Sequence, residues 1–296
     1  MHHLKNNFLE ISVKQTGAEL CSIKSTKNNT QFMWQANHNI WGSHAPNLFP
    51  IIGVLKNDAF IFKDEKYNLT KHGFIRNNSN ITCIKSSKNS LTFGISYNDV
   101  LLEMYPFKFS FNISFTLNDN IIEVKHTVKN EDNKTLYFSL GGHPAFNCPV
   151  FKNEAYHDYS LEFEHVENSK SYLLNTENSL MTNRTKTVLK NTNLLALNHN
   201  LFAKDALVFK DLKSRKVTLK SAKSGDILTV KYNDFNYLGI WAKTNGNFVC
   251  IEPWLGVGDN ENTNQQLTEK EGILTLEANK TFRASYYIEI NKKHLE

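Results

Sequence analysis

Two short segments carry residue types suited to proton transfer: Gly141-Gly142-His143-Pro144-Ala145-Phe146 and Ile251-Glu252-Pro253-Trp254-Leu255-Gly256. An imidazole titrates near neutrality, and a carboxyl group set among apolar and aromatic neighbours has its pKa raised toward that range. Together they offer one acid and one base, which is what opening a sugar ring requires. The bland alternatives are a histidine that satisfies backbone carbonyls in a glycine turn and a carboxylate paired with a lysine. An acid inside so apolar a run needs a reason, and that tips Glu252 toward chemistry. The glycines before His143 are expected to turn the chain tightly, and Glu252 is expected at the end of the strand Asn247–Ile251.

Further candidates surround this pair. Lys71-His72-Gly73-Phe74-Ile75-Arg76 joins a second histidine to a guanidinium able to bind hydroxyl, carboxylate or phosphate oxygens, although Arg76 could equally serve a surface acid. Trp41 to Pro50 gathers aromatics, two prolines and Asn47 as a pocket wall, with Phe49 read as core. Asp205 lies in the otherwise apolar Leu201–Leu207 stretch, where it could hold sugar hydroxyls or cap a turn. Trp254 could stack on a sugar face or fill the core.

The elements that must position these groups are strands. Phe107–Phe115 alternates apolar and polar side chains without a break, and the same period marks Leu9–Thr16, Ile121–Asn130, Thr135–Leu140, Tyr159–Glu164, Lys216–Lys220, Ile227–Tyr232 and Tyr286–Ile290. Asn118-Asp119-Asn120, Asn130-Glu131-Asp132-Asn133 and Lys223-Ser224-Gly225-Asp226 supply hairpin chemistry. Helical periodicity is confined to a turn at Ala203–Leu207 and another at Thr263–Glu269, with Asn262 as its cap. No linker divides the chain, and no GxGxxG or GxxxxGK follows a strand. The expected fold is all-β, a large antiparallel β-sandwich formed by residues 1–296 as one domain.

Composition narrows the partners. The net charge of +5 comes from lysines scattered along the chain, without the basic block of a nucleic-acid binder, and no apolar run is long enough to cross a membrane. The four cysteines lack metal-ligand spacing and lie in or beside apolar runs, so they read as reduced core thiols of a cytoplasmic protein. The polar ends, His2-His3 and Lys292 to Glu296, read as mobile. Exposed strand edges permit a monomer or a homodimer.

The ordered set His44-Ala45-Pro46-Asn47-Leu48-Phe49-Pro50-Ile51-Ile52-Gly53, His72-Gly73-Phe74-Ile75-Arg76, Gly142-His143-Pro144-Ala145-Phe146, Asp205-Ala206-Leu207 and Glu252-Pro253-Trp254 resembles the aldose 1-epimerase family over nearly the whole length, closest to its LacX-like branch. The resemblance implies a galactose mutarotase-like supersandwich with a sugar cleft. It matches Glu252 to the general base, His143 to the general acid, His72 to a supporting histidine and Asp205 to a residue that binds sugar hydroxyls, with Arg76 as a ligand contact. Many relatives have arginine after the glycine matching Gly53; this chain has Val54 there and Lys56 two positions on.

The implied activity is a mutarotase: an isomerase, free of cofactor and metal, that interconverts the anomers of a hexose. A hexose 6-phosphate is an alternative substrate, with Arg76, Lys56 or Lys71 near the phosphate. A non-catalytic carbohydrate-binding protein is a further reading. A metal hydrolase is disfavoured because His72, His143 and Glu252 lack the HExxH arrangement.

Overall fold

A computed structural model describes residues 1–296. Strands dominate, and in every strand-to-strand pairing the partners run antiparallel. Fifteen strands form one large sheet, and a three-stranded sheet (His2–Lys5, Leu9–Val13, Leu20–Ser25) stands beside it. This is the expected β-sandwich.

Alternation decides the faces. In Phe109–Asn118, the odd positions from Phe109 to Leu117 are buried, and Phe111 stacks on Phe49 at 4.5 Å. That contact joins the sheet to the Pro46–Gly53 segment, so Phe49 is core, as its sequence suggests. The neighbouring strand occupies Ile121–Asn130, and Asp119 accepts a positive φ of 49° in the tight hairpin between them. Gly225 does the same for Lys216–Ser221 and Gly225–Lys231.

Several expectations need correction. Asn130–Asn133 is not a hairpin: it leads to Leu136–Phe138, which pairs with Leu274–Leu276 in a separate two-stranded sheet. The chain ends are ordered. His2–Lys5 pairs with Leu9–Val13, and Leu295 is buried with its N–H on the Lys292 carbonyl. One short α-helix, Asp99–Met104, went unread; Asn98 caps it by accepting the Leu101 N–H. Near the other anticipated turns, 3-10 helices form at His199–Phe202 and Leu267–Glu269, and Asn262 caps neither. All four cysteines are free, with Cys21, Cys148 and Cys250 buried, and no helix is long and apolar enough to cross a membrane.

Candidate active site

The site is built on the strand Phe248–Leu255, buried along its whole length. Glu252 lies in the middle of this strand, not at its end as expected, opposite Gly239 on the Tyr237–Trp241 side. On the other side two short strands, Leu140–Gly142 and Ala145–Asn147, flank an interruption at His143-Pro144. Gly141 pairs with Trp254 and Ala145 with Cys250, so the register runs unbroken across the interruption and sets His143 opposite Glu252.

Gly141 and Gly142 serve close packing, not a turn, because both lie in a strand. A Cβ on Gly142 would sit 2.6 Å from the Tyr286 ring. The backbone of His143 is fixed from outside the strand, its N–H donating to the Pro46 carbonyl at 3.1 Å. Glu19 in turn anchors the loop around Pro46. One carboxylate oxygen accepts the N–H groups of His44 (2.6 Å) and Ala45 (3.1 Å), while the other faces Lys14 at 3.3 Å. Burial pushes Glu19 up, but the His44 hydrogen bonds and Lys14 outweigh it and hold the carboxyl below its ordinary value. Nothing in the sequence marks Glu19 as an anchor, since the N–H groups it holds lie some 25 residues away.

His143 Nε2 approaches Glu252 Oε2 to 3.2 Å. Both side chains are almost fully buried, and neither His143 Nδ1 nor Glu252 Oε2 has a hydrogen-bond partner. Burial lowers His143 to about 3. Burial likewise raises Glu252 well above the usual carboxyl value, with Lys71 opposing and Asp205 reinforcing the shift. Both directions favour the neutral imidazole and the neutral carboxyl group. Trp41 stacks on His143 at 5.1 Å, and Trp241 (5.9 Å) and His72 (5.6 Å) meet it edge-on. Trp241 was missed because it sits in a strand pattern that core packing explains equally well.

His72 is held by a reciprocal backbone clamp. Its N–H donates to the Gly53 carbonyl at 2.7 Å, and the Gly53 N–H donates to its Nδ1 at 3.1 Å. Burial, followed by the nearby His143, Lys71 and Arg76, keeps it well below the ordinary histidine value. The chain at His72 and Gly73 is left-handed, and a Cβ on Gly73 would lie 2.2 Å from the Phe49 carbonyl oxygen.

These groups line a cavity of about 560 Å³, together with Lys71, Arg76, Asp205 and Trp254. Asp205, at φ 84°, accepts from Ser179 Oγ (3.0 Å) and the Ala206 N–H (2.8 Å). Arg76 leaves its buried Nε without a partner. Trp254 is mainly core, packed with Leu48, Ile52 and Val208 and against Gly239, while one edge borders the cavity. Two expected ligand contacts lie elsewhere. Asn47 is buried behind the wall, donating to the Gly17 and Ala18 carbonyls (both 2.9 Å). Lys56 points away, its ammonium donating to the Glu261 carbonyl at 2.8 Å. The cavity wall at that place is Val54.

His143, Cys250 and Glu252 bring three ligand-type atoms within 4.8 Å of one another. Burial raises the Cys250 thiol well above its ordinary value, which opposes the thiolate a metal would need.

The family model described as Aldose 1-epimerase matches residues 1–269. The chain is 37% identical over 295 residues to "Protein LacX, plasmid" of Lactococcus lactis subsp. lactis, covering 97% of this chain and 98% of the relative. The chromosomal LacX of the same organism matches to the same extent. Among solved structures, a galactose mutarotase related enzyme from Lactobacillus acidophilus superimposes with a TM-score of 0.93 at 34% identity, covering 98% of this chain and 97% of that one. A galactose mutarotase-like protein from Lactobacillus casei gives 0.91 at 26% identity, over 98% of this chain and 100% of the other.

Proposed function

The chain belongs to the aldose 1-epimerase family, and from that premise we propose that it is a cytoplasmic mutarotase whose acid and base are His143 and Glu252. The contact between their side chains at 3.2 Å carries this reading. The hydroxyl oxygen and ring oxygen of a cyclic aldose share the anomeric carbon, so an acid and a base that serve both must converge on one point.

Glu252 removes the proton of the anomeric hydroxyl, whose electrons form the new carbonyl. The bond from C1 to the ring oxygen breaks, and that oxygen takes a proton from His143. Rotation about C1–C2 presents the other carbonyl face. The two transfers then run backward to close the opposite anomer, so the pair ends with the single proton it began with. The protonated-imidazole, ionised-carboxylate arrangement is reached by moving that proton across the 3.2 Å contact. Lys71 favours the carboxylate form. His72 donates to a substrate oxygen, and Asp205 accepts from a hydroxyl.

The test is anomer exchange of aldoses followed by NMR, with wild-type protein beside Glu252→Gln and His143→Asn. Acceleration lost in both variants upholds the reading. A folded wild-type protein that accelerates no aldose overturns it, and the non-catalytic sugar-binding reading takes its place.

A further inference from the structure

The cavity carries more positive charge than ring opening needs. Four cations line it: Lys71 and Arg76 from the segment before the strand Thr82–Ser86, Lys204 from the loop after His199–Phe202, and Lys243 from the turn between Tyr237–Trp241 and Phe248–Leu255. Only two carboxyl groups share the lining, Asp205 and Glu252. Glu252 lies against His143, and Asp205 accepts from Ser179 and the Ala206 N–H, so neither pairs with a cation.

None of the four cations has an ion-pair partner, and none donates a side-chain hydrogen bond. Elsewhere some lysines are held by acids, such as Lys210 by Glu271, Lys270 by Asp259 and Lys223 by Asp158, at 2.6 to 2.7 Å. What sets these four apart is their convergence: they reach one cavity from three separate chain segments, with no acid paired to any of them. The Thr176 and Thr244 hydroxyls lie on the same lining and likewise make no hydrogen bond to protein, so they can donate to anionic oxygens. Charge of one sign within a low-dielectric cleft focuses the field on a ligand of the opposite sign.

We infer that the substrate is an aldose bearing an anionic substituent, a sugar phosphate or a hexuronate, whose charge is received by Lys71, Arg76, Lys204 and Lys243 while its anomeric carbon lies at His143 and Glu252. This rests on the mutarotase reading for turnover but not for binding. Lys56, the one lysine near the Gly53 turn, takes no part because the Glu261 carbonyl holds it. Lys204 and Lys243 stand on loops, where substrate preference can change without disturbing the sheet beneath.

The experiment compares kcat/KM for anomer exchange of galactose and glucose with that of their 6-phosphates and of galacturonate and glucuronate, at low and high salt. Calorimetric titration of the same sugars gives binding independently of turnover. The expected result is a preference of about tenfold or more for an anionic sugar, falling with salt, and a loss of about tenfold in that preference in the Lys204→Met/Lys243→Met double variant. Preference for the phosphates or for the uronates identifies which anion is received. Equal kcat/KM for neutral and anionic sugars overturns the inference while leaving the mutarotase intact. If no sugar is turned over, the mutarotase reading falls, and the calorimetric preference alone decides: tighter, salt-sensitive binding of the anionic sugars upholds an anion-receiving cleft, and its absence overturns it.

Discussion

The Gly53 N–H donates to Nδ1 of His72 at 3.1 Å while the His72 N–H donates back to the Gly53 carbonyl at 2.7 Å, so the ring nitrogen facing the backbone can only accept. The proton of the neutral imidazole is therefore on Nε2. A nitrogen NMR spectrum is expected to give His72 the Nε2–H tautomer throughout the neutral range. His72→Gln, which keeps a donor, retains more activity than His72→Ala by about tenfold, from the worth of one hydrogen bond to substrate. Equal loss in both would remove His72 from a donor role.

Glu252→Gln and His143→Asn each remove one proton-transfer partner. We expect kcat to fall by roughly a hundredfold to ten-thousandfold, with a much smaller change in KM. Both variants are expected to stay folded, because each replaces a group that burial keeps neutral with a neutral polar side chain no larger than the original. Polarimetry for rate and thermal melting for fold separate the two effects.

The pH profile has a calculable sign. Glu252 is raised and His143 is lowered to about 3, so one proton remains on the pair across the whole interval between those values. Raising pH through the Glu252 value removes that proton and leaves no acid; falling below about 3 adds a second and leaves no base. No inflection from His143 is expected at the ordinary histidine value of about 6.5, because burial moves its titration to about 3. A clear inflection there that vanishes in His143→Asn contradicts a buried imidazole held neutral.

Acid should unfold the protein through its buried imidazoles. His126 is fully enclosed between Phe111, Phe235 and Tyr286, and burial lowers it to about 3, as it does His143; His72 shifts in the same direction. The unfolded chain takes up these protons first as pH drops below about 6.5, so stability is lost from there down to the folded values. Each histidine contributes a slope of about 1.4 kcal/mol per pH unit. Denaturant melts of His126→Phe at several pH values should show a slope shallower by one histidine, whatever the variant's absolute stability.

Glu19 and Gly142 act on His143 from behind. Glu19→Ala strips the acceptor from two buried N–H groups and should cost about 2 kcal/mol. Through the Pro46 carbonyl it should also lower kcat more than it raises KM. Gly142→Ala forces a methyl into the Tyr286 ring and should cost about 1–3 kcal/mol. Chemical denaturation and anomer-exchange kinetics check both.

The fold was legible because strand alternation is a local signal. Ile121–Asn130 and the Phe109–Leu117 face follow directly from the spacing of their apolar residues. The candidate site was legible as residue types in order: His72, His143, Glu252, Asp205 and Arg76 do share one cavity. What escaped was non-local. Glu19 grips backbone groups that carry no sequence signature, and Lys204 and Lys243 reach the cavity only through the folded loops. The direction in which Asn47 and Lys56 point depends on neighbours far along the chain. Glycine misled for a physical reason: Gly141 and Gly142 look like a turn, but here their missing side chains make room for Trp254 and Tyr286.

The register that places His143 across from Glu252 also divides what this protein can vary from what it cannot. The spacing of the pair is a property of sheet pairing, set by Gly141 against Trp254 and Ala145 against Cys250. Any insertion between those anchors would shift one partner past the other, whereas the loops carrying Lys204 and Lys243 can lengthen, shorten or change charge above an unmoved floor. On the proposed reading, the proton-transfer pair is thus a fixture of the sheet, and the charges that would choose the substrate belong to the rim.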